Sequence, residues 1–154
     1  MKDIGIIQLD KPDQVGIVVN SVDNMVFQFK HLFGIEGFEI VDWPLPDIAP
    51  ETTYYGKPAA WRMRVAFVTL GSMQIELIEP VEGENIYKDF LSKNGPGMHH
   101  FRFTVQDFDE KVVSLQNAGI EMISTGRGMR TNSRWAYFDT FDILDGVYLE
   151  LRTI

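Results

Sequence analysis

The chain of 154 residues contains no cysteine. Disulfides, thiolate metal ligands and a cysteine nucleophile are therefore excluded together, and the composition is compatible with a reducing compartment. Basic residues are scarce beside acidic ones, 14 against 22, giving a net charge of -8. That balance argues against nucleic acid or an anionic membrane as the main partner. No apolar run approaches the roughly 18 residues that cross a bilayer, so no membrane-spanning helix is expected. The first residues carry early acidic groups and no apolar core of a signal peptide, and a cytoplasmic protein is the expectation.

What is present is ordinary for a globular domain: 45% hydrophobic residues, broken into short runs. The order of these runs repeats. A short lead-in, with a possible edge strand at Ile4–Leu9, ends at Pro12. Gln14 opens the alternating, β-branched strand pattern Gln14–Val19. Ser21 and Asp23 are good helix starters, Met25, Phe29, Leu32 and Phe33 share a helical face, and Gly34 is a natural stop. Phe38–Trp43 reads as a strand and Pro44–Pro58 as a long loop. Arg62–Leu70 and Met73–Ile78 read as strands joined at Gly71-Ser72. After an amphipathic stretch at Asn85–Lys93 and the breaker Asn94-Gly95-Pro96-Gly97, the order returns: strand Met98–Val105, helix Asp109–Ala118, strand Ile120–Ser124, loop Thr125–Ser133, and strands Trp135–Thr140 and Val147–Arg152.

The chain thus divides into a first β-α-β-β-β module (13–80), a linker (81–97) and a second module (98–154). The expected α+β fold joins the two in one compact domain, with a curved, mostly antiparallel eight-stranded sheet around a cleft. Polar residues fall at matching places. Gln14 and His100 open the first strand of each half. Glu76 and Glu150 each stand alone between aliphatics in the last. A carboxylate there needs a metal, a partner or water. His99 alternates away from His100 and is expected to face outward; His31 is expected to be solvated.

Arg64-Val65-Ala66-Phe67, Ile75-Glu76-Leu77-Ile78-Glu79-Pro80, the run Lys93-Asn94-Gly95-Pro96-Gly97-Met98-His99-His100 and Gly146-Val147-Tyr148-Leu149-Glu150 carry a resemblance. Over about residues 13–152 the chain resembles the vicinal oxygen chelate superfamily, and within it the methylmalonyl-CoA epimerase branch. The resemblance implies one divalent metal (Zn, Co, Mn or Ni) held by Gln14, Glu76, His100 and Glu150. It also implies a homodimer. The chain departs from the branch in two places: Gln14 stands where the branch has His, and Ala60-Trp61 where it has a Glu-Gln pair whose Glu is a base.

Such a centre would stabilise an enolate, with Glu76 and Glu150 exchanging the proton on the carbon beside a carbonyl. An epimerase or racemase is therefore expected, acting on a small-molecule carbonyl substrate. That substrate is either a bulky or aromatic ketone such as an isoflavanone or an acyl-CoA such as methylmalonyl-CoA. Trp61, Tyr55, Phe67 and Tyr137 are candidate pocket residues, and Arg127, Arg130 and Arg134 could meet the phosphates of CoA. The other classes considered are a glyoxalase-type isomerase or lyase, an extradiol dioxygenase, which usually needs a second His, and a non-catalytic binding protein of the bleomycin-resistance kind.

Overall fold

The structure is a computed structural model and describes residues 5–130 and 132–154. In chain order it contains β1 (Gln14–Val18), α1 (Val22–Phe33), β2 (Glu39–Trp43), β3 (Thr53–Tyr54), β4 (Lys57–Pro58), β5 (Arg62–Leu70), β6 (Met73–Glu82), α2 (Ile86–Asn94), β7 (Gly97–Val105), α3 (Phe108–Asn117), β8 (Met122–Arg127), β9 (Arg134–Phe138) and β10 (Tyr148–Thr153). Eight strands form one curled mixed sheet in the order β2-β5-β6-β1-β7-β10-β9-β8. Exchanging β1, β2, β5 and β6 with β7, β8, β9 and β10 reverses this order onto itself. The two βαβββ halves therefore meet at the antiparallel β1/β7 pair, and in each half the first and last strands run parallel.

The helices form where the sequence supplies caps. Ser21 Oγ accepts the Asn24 amide at the start of α1, and Gly34 ends it in a left-handed conformation with φ of 67°. Asn85 caps α2 through the Lys88 amide. The helix α1 lays Val22, Met25, Val26 and Phe29 on the outer face of the first half, against Ala66 and Leu77. Leu32 and Phe33, expected on that stripe, are exposed instead, in the last turn of the helix. The helix α3 covers the outer face of the second half, packing Phe108 and Leu115 on Phe138, Leu149 and Leu151. The third core fills the concave side, where α2 delivers Ile86, Tyr87 and Phe90 against Val18, Trp43, Trp61, Ile78 and Tyr137.

Three expectations change. Residues 5–9 form no strand; Ile7 and Leu9 pack against the α3 core, and Ile4 lies outside the described residues. The Pro44–Pro58 loop contains the β3/β4 hairpin, made possible by positive φ at Tyr55 and Gly56. This hairpin is docked on the second half: Thr53 Oγ1 and Thr125 Oγ1 are 2.8 Å apart, and the Tyr55 amide donates to Ile123 O at 2.8 Å. Finally, β8 runs on to Arg127, so the loop before β9 is shorter than expected; Thr131 within it lies outside the described residues.

Candidate active site

The four middle strands, β6, β1, β7 and β10, bring the four matched residues to one point on the concave face. Around Nε2 of the fully buried His100 stand the Gln14 side-chain oxygen at 2.9 Å, Glu150 Oε2 at 3.1 Å and Glu76 Oε1 at 3.5 Å. Register explains the convergence, since Gly16 lies between Glu76 on one side and His100 on the other. Position 16 must be glycine: a Cβ there would overlap the His100 imidazole. The ring rests on bare backbone.

The strand β7 is bulged at this point. Gly16 opposes His100 while Ile17 opposes Met98, which leaves His99 unopposed. A bulge breaks simple alternation and re-aims side chains. His99 is therefore not outward-facing as expected but fully buried among Tyr87, Phe90, Tyr137 and Tyr148. Its Nδ1 is 2.9 Å from Nδ1 of His100. Burial, and then the neighbouring His100, hold His99 well below the usual imidazole range, so it stays neutral. When His100 Nδ1 donates to His99, His100 Nε2 presents a lone pair to the carboxylates.

That lone pair, two carboxylates and an inward amide oxygen are all acceptors, and only a proton or a cation between them makes the cluster favourable. Without a cation, burial pushes Glu76 up to about 7, against the lowering effect of His100. The Gln14 amide can also turn. Its nitrogen then faces His100 Nε2 at 2.9 Å and Glu150 Oε2 at 3.3 Å, while its oxygen meets Arg102 Nη1 at 3.0 Å. Donors bound about 2.0–2.2 Å from one divalent ion stand about 3–3.5 Å from each other, and the spacings around His100 match. Among the described residues no group of three or more His, Asp or Glu is placed to hold a metal ion by itself. In donor chemistry these four residues fit a divalent ion, with Gln14, Glu76 and Glu150 all within 3.5 Å of His100 Nε2.

The surrounding cleft has a volume of about 240 Å³. Phe67 and Tyr137, two of the expected pocket residues, line it, together with Trp43, Met63 and Trp135. Trp61 does not: it is packed into the core, 5.4 Å from the Trp43 ring. Tyr55 also lies elsewhere, exposed at the hairpin tip against Tyr54. Ala60, at the position where the epimerase branch has its base, is exposed and outside the cleft lining. Sequence reasoning missed Tyr87, a cleft residue whose hydroxyl donates to Tyr137 Oη at 3.0 Å. Tyr137 Oη in turn lies 3.4 Å from His100 Nε2. Burial pushes both phenols well above their ordinary range, so both stay protonated donors. The only signal for Tyr87 was its place in an amphipathic helix, which does not specify what the helix caps.

Of the loop arginines, Arg127 and Arg130 line the cleft and Arg134 does not, and each has a partner at the surface. Arg130 forms a two-pronged pair with Glu39 across the mouth of the cleft. Arg127 reaches Glu51 at 3.6 Å and Asn132 at 3.2 Å. Arg134 pairs with Asp109 at 3.1 Å and lies over the Phe108 ring, outside the cleft.

Residues 13–138 match the family model of the Glyoxalase/Bleomycin resistance protein/Dioxygenase superfamily. The chain belongs to this superfamily. A member of similar length is the uncharacterized protein YqjC of Bacillus subtilis, 26% identical over 93% of this chain and 91% of YqjC. The human mitochondrial methylmalonyl-CoA epimerase is 28% identical over 75% of this chain and 58% of its own length. Among solved structures, the methylmalonyl-CoA epimerase of Mycobacterium tuberculosis superimposes with a TM-score of 0.66 at 25% identity, covering 99% of this chain and 92% of that one. The superfamily's half-barrel is thus the fold seen here, and no helix among the described residues is long and apolar enough to cross a membrane.

Proposed function

We propose that this superfamily member is an epimerase that moves the proton on the carbon beside the carbonyl of an acyl-CoA thioester. The observation that carries the reading is the convergence of Glu76 and Glu150 on His100 at 3.5 and 3.1 Å from opposite halves of the sheet. Inversion needs a proton carrier on each face of a planar intermediate, and a carboxylate on each flank of one imidazole offers that. Likeness to methylmalonyl-CoA epimerases in sequence and fold supports an acyl-CoA over an aryl ketone.

In the forward direction one carboxylate takes the α-proton and becomes a carboxylic acid, and the electron pair moves onto the carbonyl oxygen. The opposite carboxyl, protonated beforehand, returns its proton to the other face. With no cation bound, burial holds the acidity of Glu76 near neutrality, which suits alternation between the two states. The protonated Tyr137 hydroxyl is placed to donate to the developing oxyanion, and Tyr87 orients it. A divalent ion held by Gln14, Glu76, His100 and Glu150 would supply further charge neutralisation at that oxygen. Phe67, Trp43 and Trp135 wall the reacting carbon from water.

The test is solvent exchange. Incubation with methylmalonyl-CoA in deuterated water should bring deuterium to the α-carbon and interconvert the epimers, read by mass spectrometry and chiral analysis. An α-proton left in place with this thioester, and with an isoflavanone run in parallel, would refute the reading. Exchange in the isoflavanone alone would keep the chemistry and overturn the thioester.

A further inference from the structure

Arg102 stands beside two of the four clustered residues. It follows His100 by two positions on β7, so both side chains leave the same face of the strand. Its register partner on β1 is Gln14, and its register partner on β10 is Glu150. Gln74 on β6 completes this row of the sheet, opposite Gln14. Arg102 is only 9% exposed. Its Nε donates to Asp13 Oδ1 at 2.6 Å, and the other oxygen of Asp13 accepts the Thr104 amide at 2.9 Å. This anchorage leaves Nη1 at 3.0 Å from the end of the Gln14 amide.

That amide has one oxygen, and two places compete for it. With the oxygen inward, 2.9 Å from His100 Nε2, the nitrogen donates to Gln74 Oε1 at 2.7 Å. The same nitrogen then faces Arg102 Nη1, a donor against a donor. With the amide turned, its oxygen accepts from Arg102. Its nitrogen lies 2.9 Å from His100 Nε2 and 3.3 Å from Glu150 Oε2, which are both acceptors when His100 carries its proton on Nδ1. Gln74 follows by turning its own amide, so that its nitrogen meets the Gln14 oxygen at 2.7 Å. The turned arrangement satisfies Arg102, Glu150 and His100 with no cation present. The inward arrangement needs a cation to offset the contact with Arg102.

We infer that Arg102 is a positioning residue that competes with a divalent ion for the side-chain oxygen of Gln14. In the ion-free protein Arg102 holds that oxygen, and Gln14 closes the cluster with its N–H group. An ion that binds draws the oxygen inward and breaks the hydrogen bond to Arg102. Gln14 is thus a conditional ligand, and rotation of one amide opens or closes its place in the site. Arginine suits this task because its guanidinium stays charged and its fork can hold Asp13 and Gln14 at once. The inference goes beyond the epimerase reading: it concerns how the cluster takes up a cation, whatever proton the site moves.

The experiment is a double-mutant cycle on zinc affinity. Zinc binding to chelator-treated protein is measured by calorimetry for the natural sequence, Arg102→Met, Gln14→Ala and the double variant. Removing a cation from the cleft favours zinc by simple repulsion in both backgrounds. Competition adds a gain that exists only where Gln14 is present. Arg102→Met should therefore tighten zinc binding about ten-fold more in the natural background than in Gln14→Ala, as expected for a charged hydrogen bond. Equal gains in the two backgrounds would overturn the inference, and so would zinc binding to neither the natural protein nor Arg102→Met. A second measurement needs only the natural fold and stands if Arg102→Met does not fold. In isotope-labelled protein the Gln14 side-chain NH2 signal, assigned by its loss in Gln14→Ala, should show a nuclear Overhauser contact with the His100 ring before zinc and lose it afterwards. An NH2 group remote from His100 in the ion-free protein, or unmoved by zinc, would overturn the inference. These readouts are independent of turnover, so a protein that passes them but exchanges no α-proton would refute the epimerase reading and leave the competition standing.

Discussion

The two halves of the sheet present the same backbone to the cleft and very different side chains. In the first half, the positions that follow Gln14 and Glu76 on the concave face are Gly16, Val18 and Ile78, without charge. In the second half, the corresponding positions after His100 and Glu150 are Arg102, Thr104 and Arg152. Because β1 and β7 run antiparallel, these two sets point to opposite ends of the cleft. One end is apolar and plugged by α2; the other is cationic and open at the mouth. Duplication therefore supplies two equivalent carboxylates, and divergence of their neighbours gives the cleft a direction.

The sharpest break in the comparison comes from removing one carboxylate at a time. Glu76→Gln and Glu150→Gln should each lower epimerisation by about a hundred- to ten-thousand-fold, the usual worth of a positioned proton carrier. Each variant should still wash deuterium into the one epimer whose proton faces the surviving carboxylate. Equal loss of exchange in both epimers, in both variants, would rule out a division of labour between the halves.

The next effect concerns only the first half. Glu76 is raised to about 7 by burial, from an ordinary value of 4.5. The folded protein then binds a proton that the unfolded chain has released between these values, so stability is fully present below about 4.5 and is lost as pH rises through 7. In chelator-treated protein the loss should approach about 3 kcal/mol as an upper bound. Urea unfolding from pH 5 to 8 measures it, and Glu76→Gln should flatten the profile. A profile of equal slope in that variant would show that another group is responsible.

Smaller again is the effect of adding one methyl group. Gly16→Ala places a Cβ where the His100 ring lies. Overpacking of this kind costs about 1–3 kcal/mol, and it should displace the imidazole and weaken cobalt binding, followed by titration of the chelated protein. Cobalt affinity unchanged in Gly16→Ala would mean that the ring has room to move. The smallest effect is expected at the rim of the second half. Arg134→Ala breaks an exposed pair with Asp109 and should cost no more than about 1 kcal/mol, with turnover unchanged. A large loss of turnover there would return Arg134 to the binding site.

Much of this was legible in the residues. Gln14, His100, Glu76 and Glu150 were found because a polar residue in an apolar strand is costly, and because the same cost recurs at one repeat's distance. Caps at Ser21 and Gly34 placed the first helix within a residue or so. What the chain did not disclose depends on contacts between distant segments. His99 was misassigned because alternation presumes an unbroken ladder, and the bulge opposite Gly16 is a property of two strands. Trp61 was assigned to the cleft on its aromatic character, which serves core packing equally well.

The docked hairpin carries one more consequence. An open eight-stranded sheet has two terminal strands, β2 and β8, whose unpaired backbone groups invite another chain to add a strand. Here a segment from the first half covers β8. The loop before β5 donates and accepts along β8 through Pro50, Thr53 and Tyr55, while Arg130 from beyond β8 grips Glu39 on β2. The docked hairpin thus protects the β8 edge against edge-to-edge association. Loosening it would expose a template for strand exchange between copies before any catalytic group had moved.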